Sequence, residues 1–329
     1  MKFGPVPVQD ALGAIAAHAV RVGDVSISKG AAITAEDIAA LDAAGVAQIT
    51  VAQLGKDDLH EDAAATALAN ALVPDPSAVN LRLTKAATGR VNVYAEAEGI
   101  VQLVPAAIAA FNAVDPMITV ATVPAHHRLA KGGMVATIKV ISYAVPQAHV
   151  DGACATDARL ALATGQVGTV TLIETTTDGT DPAPKGRAAL EGRVAPLGAA
   201  LTERIVVPHD VAALAQAIQD APGDMICILT ASATSDSHDV APSALRHAGG
   251  RVLRFGMPVD PGNLLFIADL RSKPVIGLPG CARSPALNGA DWVLNRILCG
   301  VPVTSADIAA MGVGGLLKEI PTRPRPRAG

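Results

Sequence analysis

Two stretches of the chain concentrate side chains and backbone that can hold an anion. In Gly277-Leu-Pro-Gly-Cys-Ala-Arg-Ser284, Gly277 and Gly280 remove side chains beside the backbone, and Pro279 fixes the turn. Ser284, with the first amides of a helix expected to follow, offers donors at a positive helix terminus, and Arg283 adds a fixed charge that pairs with phosphate. As a bare pattern, Gly-Leu-Pro-Gly between strand and helix is also simply a turn. The second stretch is Thr230-Ala-Ser-Ala-Thr-Ser-Asp-Ser-His-Asp239. Its hydroxyls at Thr230, Ser232, Thr234, Ser235 and Ser237 can bond phosphate or the edge of a heterocycle, while Asp236 or Asp239 can equally cap the next helix. Asp239 before Val-Ala-Pro-Ser-Ala-Leu is a natural N-cap. His238 stands beside carboxylates and titrates near neutrality, but no serine or cysteine nucleophile motif accompanies it. His126 and His127 have no third ligand spaced nearby, and Cys154, Cys227, Cys281 and Cys299 form no CxxC pair. A GxxxxGK[ST] loop is absent, and Gly312-Val-Gly-Gly315 follows no strand of a βαβ unit, which removes most support for ATP-loop and dinucleotide chemistry.

Both stretches need strands ending beside each other. From residue 166 onward, apolar runs and amphipathic runs alternate: strands over 167–174, 204–207, 225–230 and 252–255, with helices over 186–200, 210–221 and 239–248. This order predicts a mostly parallel sheet covered by helices on both faces, an α/β/α domain over 166–303. Strands over 263–269 and 273–278 pair through a turn at 270–272, and a helix over 284–298 closes the domain. Ligands of such sheets lie beyond the carboxyl ends of the strands, which singles out the turns at 175–178, 230–239 and 277–284.

Residues 1–165 read as a mixed α+β domain. Val8, Ala11, Leu12, Ile15 and Val20 predict an amphipathic opening helix. Thr34 with Asp37 forms a capping box for a helix through Ala44, ended by Gly45 before a strand over 46–52. A helix over 57–73, strands over 90–94 and 134–145, and a helix near 105–114 follow. The segment 304–329, Pro- and Arg-rich at its end, is expected to be a mobile, solvated tail.

The bulk composition narrows the partners. Half of the 329 residues are hydrophobic, enough for two cores, and 26 Lys and Arg against 30 Asp and Glu lack the basic excess of a nucleic-acid binder. No apolar run approaches the ~18 residues of a membrane span, so a cytoplasmic protein without membrane contact is expected. Aromatic residues are only 2% of the chain, so a bound ring would rest on backbone and aliphatic groups.

Taken in order, Asp224-Met-Ile-Cys-Ile-Leu-Thr230, the hydroxyl-rich loop, Asp239-Val-Ala-Pro-Ser-Ala-Leu245, Phe255-Gly-Met-Pro-Val-Asp-Pro-Gly262 and Lys273-Pro-Val-Ile-Gly-Leu-Pro-Gly280 resemble the molybdopterin-binding domain of molybdenum cofactor biosynthesis, most closely its molybdotransferase type. The resemblance spans about residues 166 to 300. Weaker likeness to segments leading into that domain lies in Val8-Gln-Asp-Ala-Leu12 and in 30–51, while 55–165 shows none. The resemblance implies molybdopterin as ligand or substrate, its phosphate at 277–284 and its pterin against 230–239. In an enzyme it implies insertion of molybdate, with Asp239 as the catalytic residue that helps bind Mg²⁺ or molybdate. It also implies a homo-oligomer, and a nucleotidyltransferase or molybdoenzyme as partner. The Pro/Arg tail resembles a linker leading to a nucleotidyltransferase domain in some relatives.

The chain departs from that family at several positions. Ala231, Ser232 and Asp236 stand where the family's Thr-Gly-Gly-x-Ser-x-Gly loop has glycines. The added Cβ atoms narrow the pocket, and Asp236 brings negative charge towards an anion. Cys281-Ala-Arg precedes Ser284 in place of Asn-Pro-Val, and Leu190-Glu-Gly-Arg193 stands where Asp-Ser-Asn is usual. No C-terminal β domain of the molybdotransferase kind is expected from residues 304–329. These changes set a non-catalytic carrier or chaperone against an enzyme, the retained Asp239 and Ser284 favouring the latter.

Overall fold

The computed structural model describes residues 1–317, with the side chain of Val25 excepted. The terminal Pro/Arg-rich stretch, expected to be a mobile tail, lies outside the described residues. The chain divides into two compact units, one of residues 1–97 and 101–162, the other of 98–100 and from 163 onward.

The first unit mixes short antiparallel sheets with helices and holds two apolar clusters. The opening segment is not the expected helix. Lys2–Pro7 is a strand paired with Gln48–Gln53, Val8–Asp10 is a single 3₁₀ turn, and Ile15–Ala16 pairs on the other side of Gln48–Gln53. Gly13, at φ 72°, interrupts the pattern, and the four consecutive buried residues Ala14, Ile15, Ala16 and Ala17 have no helical period. The capping box at Thr34 and Asp37 forms as expected and opens a helix over Ala35–Ala43, with Gly45 at φ 72° beyond its end. Glu61–Leu72 is the helix expected over 57–73. It buries Leu68 and Leu72 among Val91, Val93 and Ile138, which belong to a four-stranded antiparallel sheet.

The second unit carries the candidate turns on one sheet. Its strands are β1 (Thr169–Thr176), β2 (Ala200–Leu201), β3 (Ile205–Pro208), β4 (Met225–Leu229), β5 (Arg251–Phe255), β6 (Phe266–Leu270) and β7 (Lys273–Gly277). Its helices are α1 (Lys185–Val194), α2 (Val211–Asp220), α3 (Val240–His247), α4 (Gly289–Leu298) and α5 (Ser305–Ala310). β2 and β3 both lie parallel to β1 on one side, β4 lies parallel on its other side, and β7 is parallel to β4. β6 and β5 complete the sheet in antiparallel sense, so the sheet is mixed. The chain leaves β1 towards β3 and returns to β4 across it. The gap between β1 and β4 is therefore the point where the winding reverses.

Strand side chains alternate between two sets of helices. Met225, Cys227 and Leu229 pack with Leu190 and Val194 of α1 and Val293 and Leu294 of α4. Ile226 and Ile228 pack with Leu214 and Ile218 of α2 and Ala244 and Leu245 of α3. Helix α1 stops at Val194, short of the expected residue 200, because Pro196 and left-handed Gly198 close it.

Residues 305–310, assigned to the tail by sequence, instead form α5. Ile308 enters the apolar cluster of the unit, and buried Arg296 of α4 bonds Pro302 O and sits 3.3 Å from Asp307. The Thr304 hydroxyl, then its backbone amide and Arg296, holds the Asp307 carboxyl below its ordinary 3.8. A depressed carboxyl contributes stability above its unfolded-state value, lost as pH falls through the folded-state value. We predict that the protection of amides 305–310 against hydrogen exchange, taken relative to their intrinsic rates at each pH, falls once pH drops below 3.8 and that Asp307→Asn removes this acid dependence.

Candidate functional site

Because β1, β4 and β7 are mutually parallel, the turns that follow them leave the same edge of the sheet. They are also bonded to one another. The Ala231 amide donates to Thr175 Oγ1 at 2.8 Å, joining the turn after β4 to the end of β1. Arg283, in the turn after β7, donates to the carbonyl of Thr230 at 2.6 Å. Its guanidinium thus braces two turns, and among the described residues no carboxylate pairs with it.

The turn after β4 spends most of its polar groups on its own shape. Thr230 Oγ1 donates to Ser232 O, and Thr230 and Thr234, both buried, share a hydroxyl contact of 3.2 Å. Ser235 Oγ donates to Ala233 O. Asp239 caps α3: one carboxylate oxygen accepts from Val240 N–H at 2.8 Å, the other from Ser235 N–H at 3.0 Å. Asp236, whose side chain is 72% exposed, accepts from the backbone amide of His238 and from its ring. That amide, then the ring, holds its carboxyl below the ordinary range. Ser232 and Ser235 are exposed, as are Ala231, Ala233, Asp236 and His238.

In the turn after β7, Pro279 precedes a single 3₁₀ turn over Gly280–Arg283, and α4 begins only at Gly289. The helix N-terminus expected at Ser284 is four residues further on and is closed by its own capping box, Asn288 with Asp291. Ser284 N–H is engaged by Cys281 O, and its hydroxyl accepts from Ala286 N–H at 3.3 Å. The two glycines do different things. A Cβ on Gly277 would lie 1.9 Å from Cε1 of Phe266, its cross-strand neighbour, so this glycine makes room for the aromatic ring. A Cβ on Gly280 would meet only Arg283, at 3.6 Å, so the backbone there is open to approach.

Beside this turn lies a cavity of about 650 Å³ lined by Lys185, Ala188 and Ala189 of α1 and by Gly280, Cys281, Arg283, Ser284 and Pro285. Pro184 gives α1 no side-chain cap, so its first-turn amides contribute a positive end here. Gly186 is why α1 can approach: a Cβ would lie 2.9 Å from Leu229 and 3.5 Å from both Glu174 and Arg283.

Several residues of this edge escaped the sequence reading. Glu174, 1% exposed, ends β1 in an ion pair with Arg204 at 2.9 Å. His209, after β3, meets Thr175 Oγ1 through Nδ1 at 2.9 Å, so Thr175 links three strand ends. Arg193, buried in α1, reaches Asp291 at 2.5 Å and donates to the carbonyls of Ala189, Ala282, Ser284 and Ala286. The available signal was its spacing: Arg193 follows Leu190 by three residues on the apolar face of α1. Among the described residues, no group of three or more His, Cys, Asp or Glu is arranged to hold a metal ion, and no helix is long and apolar enough to cross a membrane.

Cysteine reactivity reports on the cavity. Cys281 is exposed at its rim, whereas burial pushes the Cys227 thiol up to about 12. Alkylation of the native protein, read by peptide mass spectrometry, is expected to label Cys281 first and Cys227 only on unfolding, with an occupying ligand slowing Cys281.

A family model described as a domain of unknown function (DUF8806) matches residues 5–53, in the first unit. No curated protein matches the chain. Among solved structures, the chain is similar to a molybdopterin biosynthesis MoeA protein from Pyrococcus horikosii, with 16% identity and a TM-score of 0.28 over 93% of this chain and 75% of that one. It is also similar to a molybdenum cofactor biosynthesis protein from Pyrococcus furiosus, with 13% identity and a TM-score of 0.26 over 92% of this chain and 66% of that one. Superpositions this loose establish no common fold.

Proposed function

We propose that the carboxyl edge of the second unit's sheet binds molybdopterin or the molybdenum cofactor during its synthesis, modification or delivery. In this reading the unit is a three-layer α/β/α molybdopterin-binding domain, with the pterin at the switch point between β1 and β4. The observation that carries it is the joining of the three turns, Thr175 to Ala231 and Thr230 to Arg283, into one surface beside a cavity with two cations. A preformed concave site with a few convergent polar groups is the usual form of a small-molecule site. The ordered likeness of residues 166–300 to molybdopterin-binding domains supplies the ligand's identity. Gly280, Arg283 and Ser284 line the cavity where the phosphate would sit, while Thr230, Ser232, Thr234, Ser235 and Asp236 belong to the neighbouring turn, outside the cavity lining, against which the pterin would lie.

Of the two roles, carrier and molybdotransferase, Asp239 favours the carrier. Both of its oxygens already accept backbone N–H groups, and a cation or molybdate would have to displace that cap. The test is equilibrium binding of molybdopterin, its adenylylated form and molybdate, followed by assay for inserted molybdenum. Binding without insertion is the expected result. Turnover would restore the enzyme reading, and no binding of either pterin would end both. A homo-oligomer and a nucleotidyltransferase or molybdoenzyme partner belong to the same reading, and light scattering of the purified chain tests the first.

A further inference from the structure

We propose that this site holds its anionic ligand on Lys185 and Arg283, without a divalent cation. The ligand's identity rests on the reading above; the mode of binding rests on how the charged groups of this edge are already committed. A Mg²⁺ site needs oxygen ligands free to form a near-octahedral shell, commonly one or two carboxylates with the substrate's phosphate. Each carboxylate of the turns already has at least one oxygen engaged, and among the described residues no three acidic, His or Cys groups gather as metal ligands. Glu174 pairs with Arg204, and Asp178 accepts from the Thr176 hydroxyl and the Thr180 amide. Asp236 holds His238, and Asp239 caps α3 with both oxygens. Asp291, at the start of α4, is shared between Arg193 and the Asn288 amide. The residues present therefore do not fit the Mg²⁺ that the family resemblance implies.

The cations are placed the opposite way. Lys185 lines the cavity and has no hydrogen bond or ion pair among the described residues. Arg283 lines the same cavity and donates to the Thr230 carbonyl, with no carboxylate paired to it among the described residues. Two cations lining one cavity, neither of them in an ion pair among the described residues, suit a phosphomonoester, to which arginine offers a planar fork and lysine a mobile point charge. With these charges supplied by the chain, a divalent ion has no charge left to neutralise.

The experiment is calorimetric titration of the folded chain with molybdopterin and, separately, inorganic phosphate, each in EDTA and in Mg²⁺. The expected result is an affinity for molybdopterin that differs by less than about twofold between the two conditions. Lys185→Ala weakens binding about tenfold, the scale of one charge-assisted hydrogen bond, and Lys185→Arg recovers most of the loss. Lys185 is exposed, so the variants are expected to fold, which circular dichroism checks. Binding that requires Mg²⁺ and ignores Lys185 would overturn this inference and leave the pterin reading standing. Phosphate binding that is metal-independent and Lys185-dependent, with no uptake of molybdopterin, would do the reverse. No binding of either compound would overturn both.

Discussion

Arg193→Ala is expected to lower the stability of the second unit by ~3–5 kcal/mol, the usual cost of removing one partner of a buried ion pair. Arg193 is 7% exposed, and its guanidinium does three jobs at once. It neutralises Asp291, which also receives the Asn288 amide in the capping box of α4. It satisfies the carbonyls of Ala282, Ser284 and Ala286, so the turn after β7 is folded around it. It also accounts for the carbonyl of Ala189 in its own helix. Alanine would leave a buried carboxylate unpaired and several carbonyls unsatisfied, each costly in a low-dielectric interior. For a unit of this size the loss corresponds to a melting temperature lower by roughly 10 °C. Arg193→Lys keeps the charge but not the fork, and one ammonium cannot reach four carbonyls and a carboxylate. It is expected to recover part of the stability while leaving the turn loosely held. Thermal unfolding and cavity affinity then separate: stability partly returns, and phosphate affinity stays low. A variant within about 1 kcal/mol of the parent would show that the turn does not depend on Arg193.

The two halves of that result differ in how far the amino-acid sequence foretells them. The alternating runs after residue 166 predict strands and helices that the second unit contains, because buried parallel strands are near-continuous apolar runs and the helices show periodic apolar faces. The three turns could be named in advance because strand-to-helix order alone puts them at carboxyl ends. Arg193 and Lys185 could not, since each acts through residues about 90 positions or more away in the chain or across a cavity no local pattern encodes. The start of α4 was misjudged for a related reason. Ser284 and Asn288 are both acceptable caps, and only the Asp291 carboxylate, held by Arg193, selects the second. The first segment misled for a different reason: Val8, Ala11 and Ile15 are buried by strand pairing and a 3₁₀ turn, which coincide over a few residues with helical spacing. The hydroxyls of 230–237 were legible as hydroxyls, but their use in shaping their own loop needed the fold.

Gly277→Ala is the second large effect expected, and it distinguishes the two glycines of the turn after β7. At Gly277 the new methyl would sit 1.9 Å from Phe266 Cε1, far inside contact distance. Phe266 is fully buried and paired directly across β6 and β7, so the ring cannot swing into solvent. Ring or strand must shift, and overpacking of this kind costs ~1–3 kcal/mol, at the upper end where the neighbour is an immobile aromatic. The damage should reach the site as well, because β7 sets the position of Pro279 and Gly280 and Leu278 N–H pairs with Ile228 O of β4. Gly280→Ala meets only the Arg283 side chain at 3.6 Å, and Gly280 is not in a left-handed conformation. Its stability should stay within about 0.5 kcal/mol of the parent. If a ligand approaches the backbone at this turn, Gly280→Ala nevertheless loses affinity, since the added Cβ faces the cavity that Gly280 lines. Urea unfolding paired with phosphate titration reads both variants. The expected pattern is a large stability loss for Gly277→Ala, and for Gly280→Ala a loss of affinity at unchanged stability. Equal unfolding midpoints for the two variants would mean that Phe266 yields to the methyl, and that Gly277 is not held by packing.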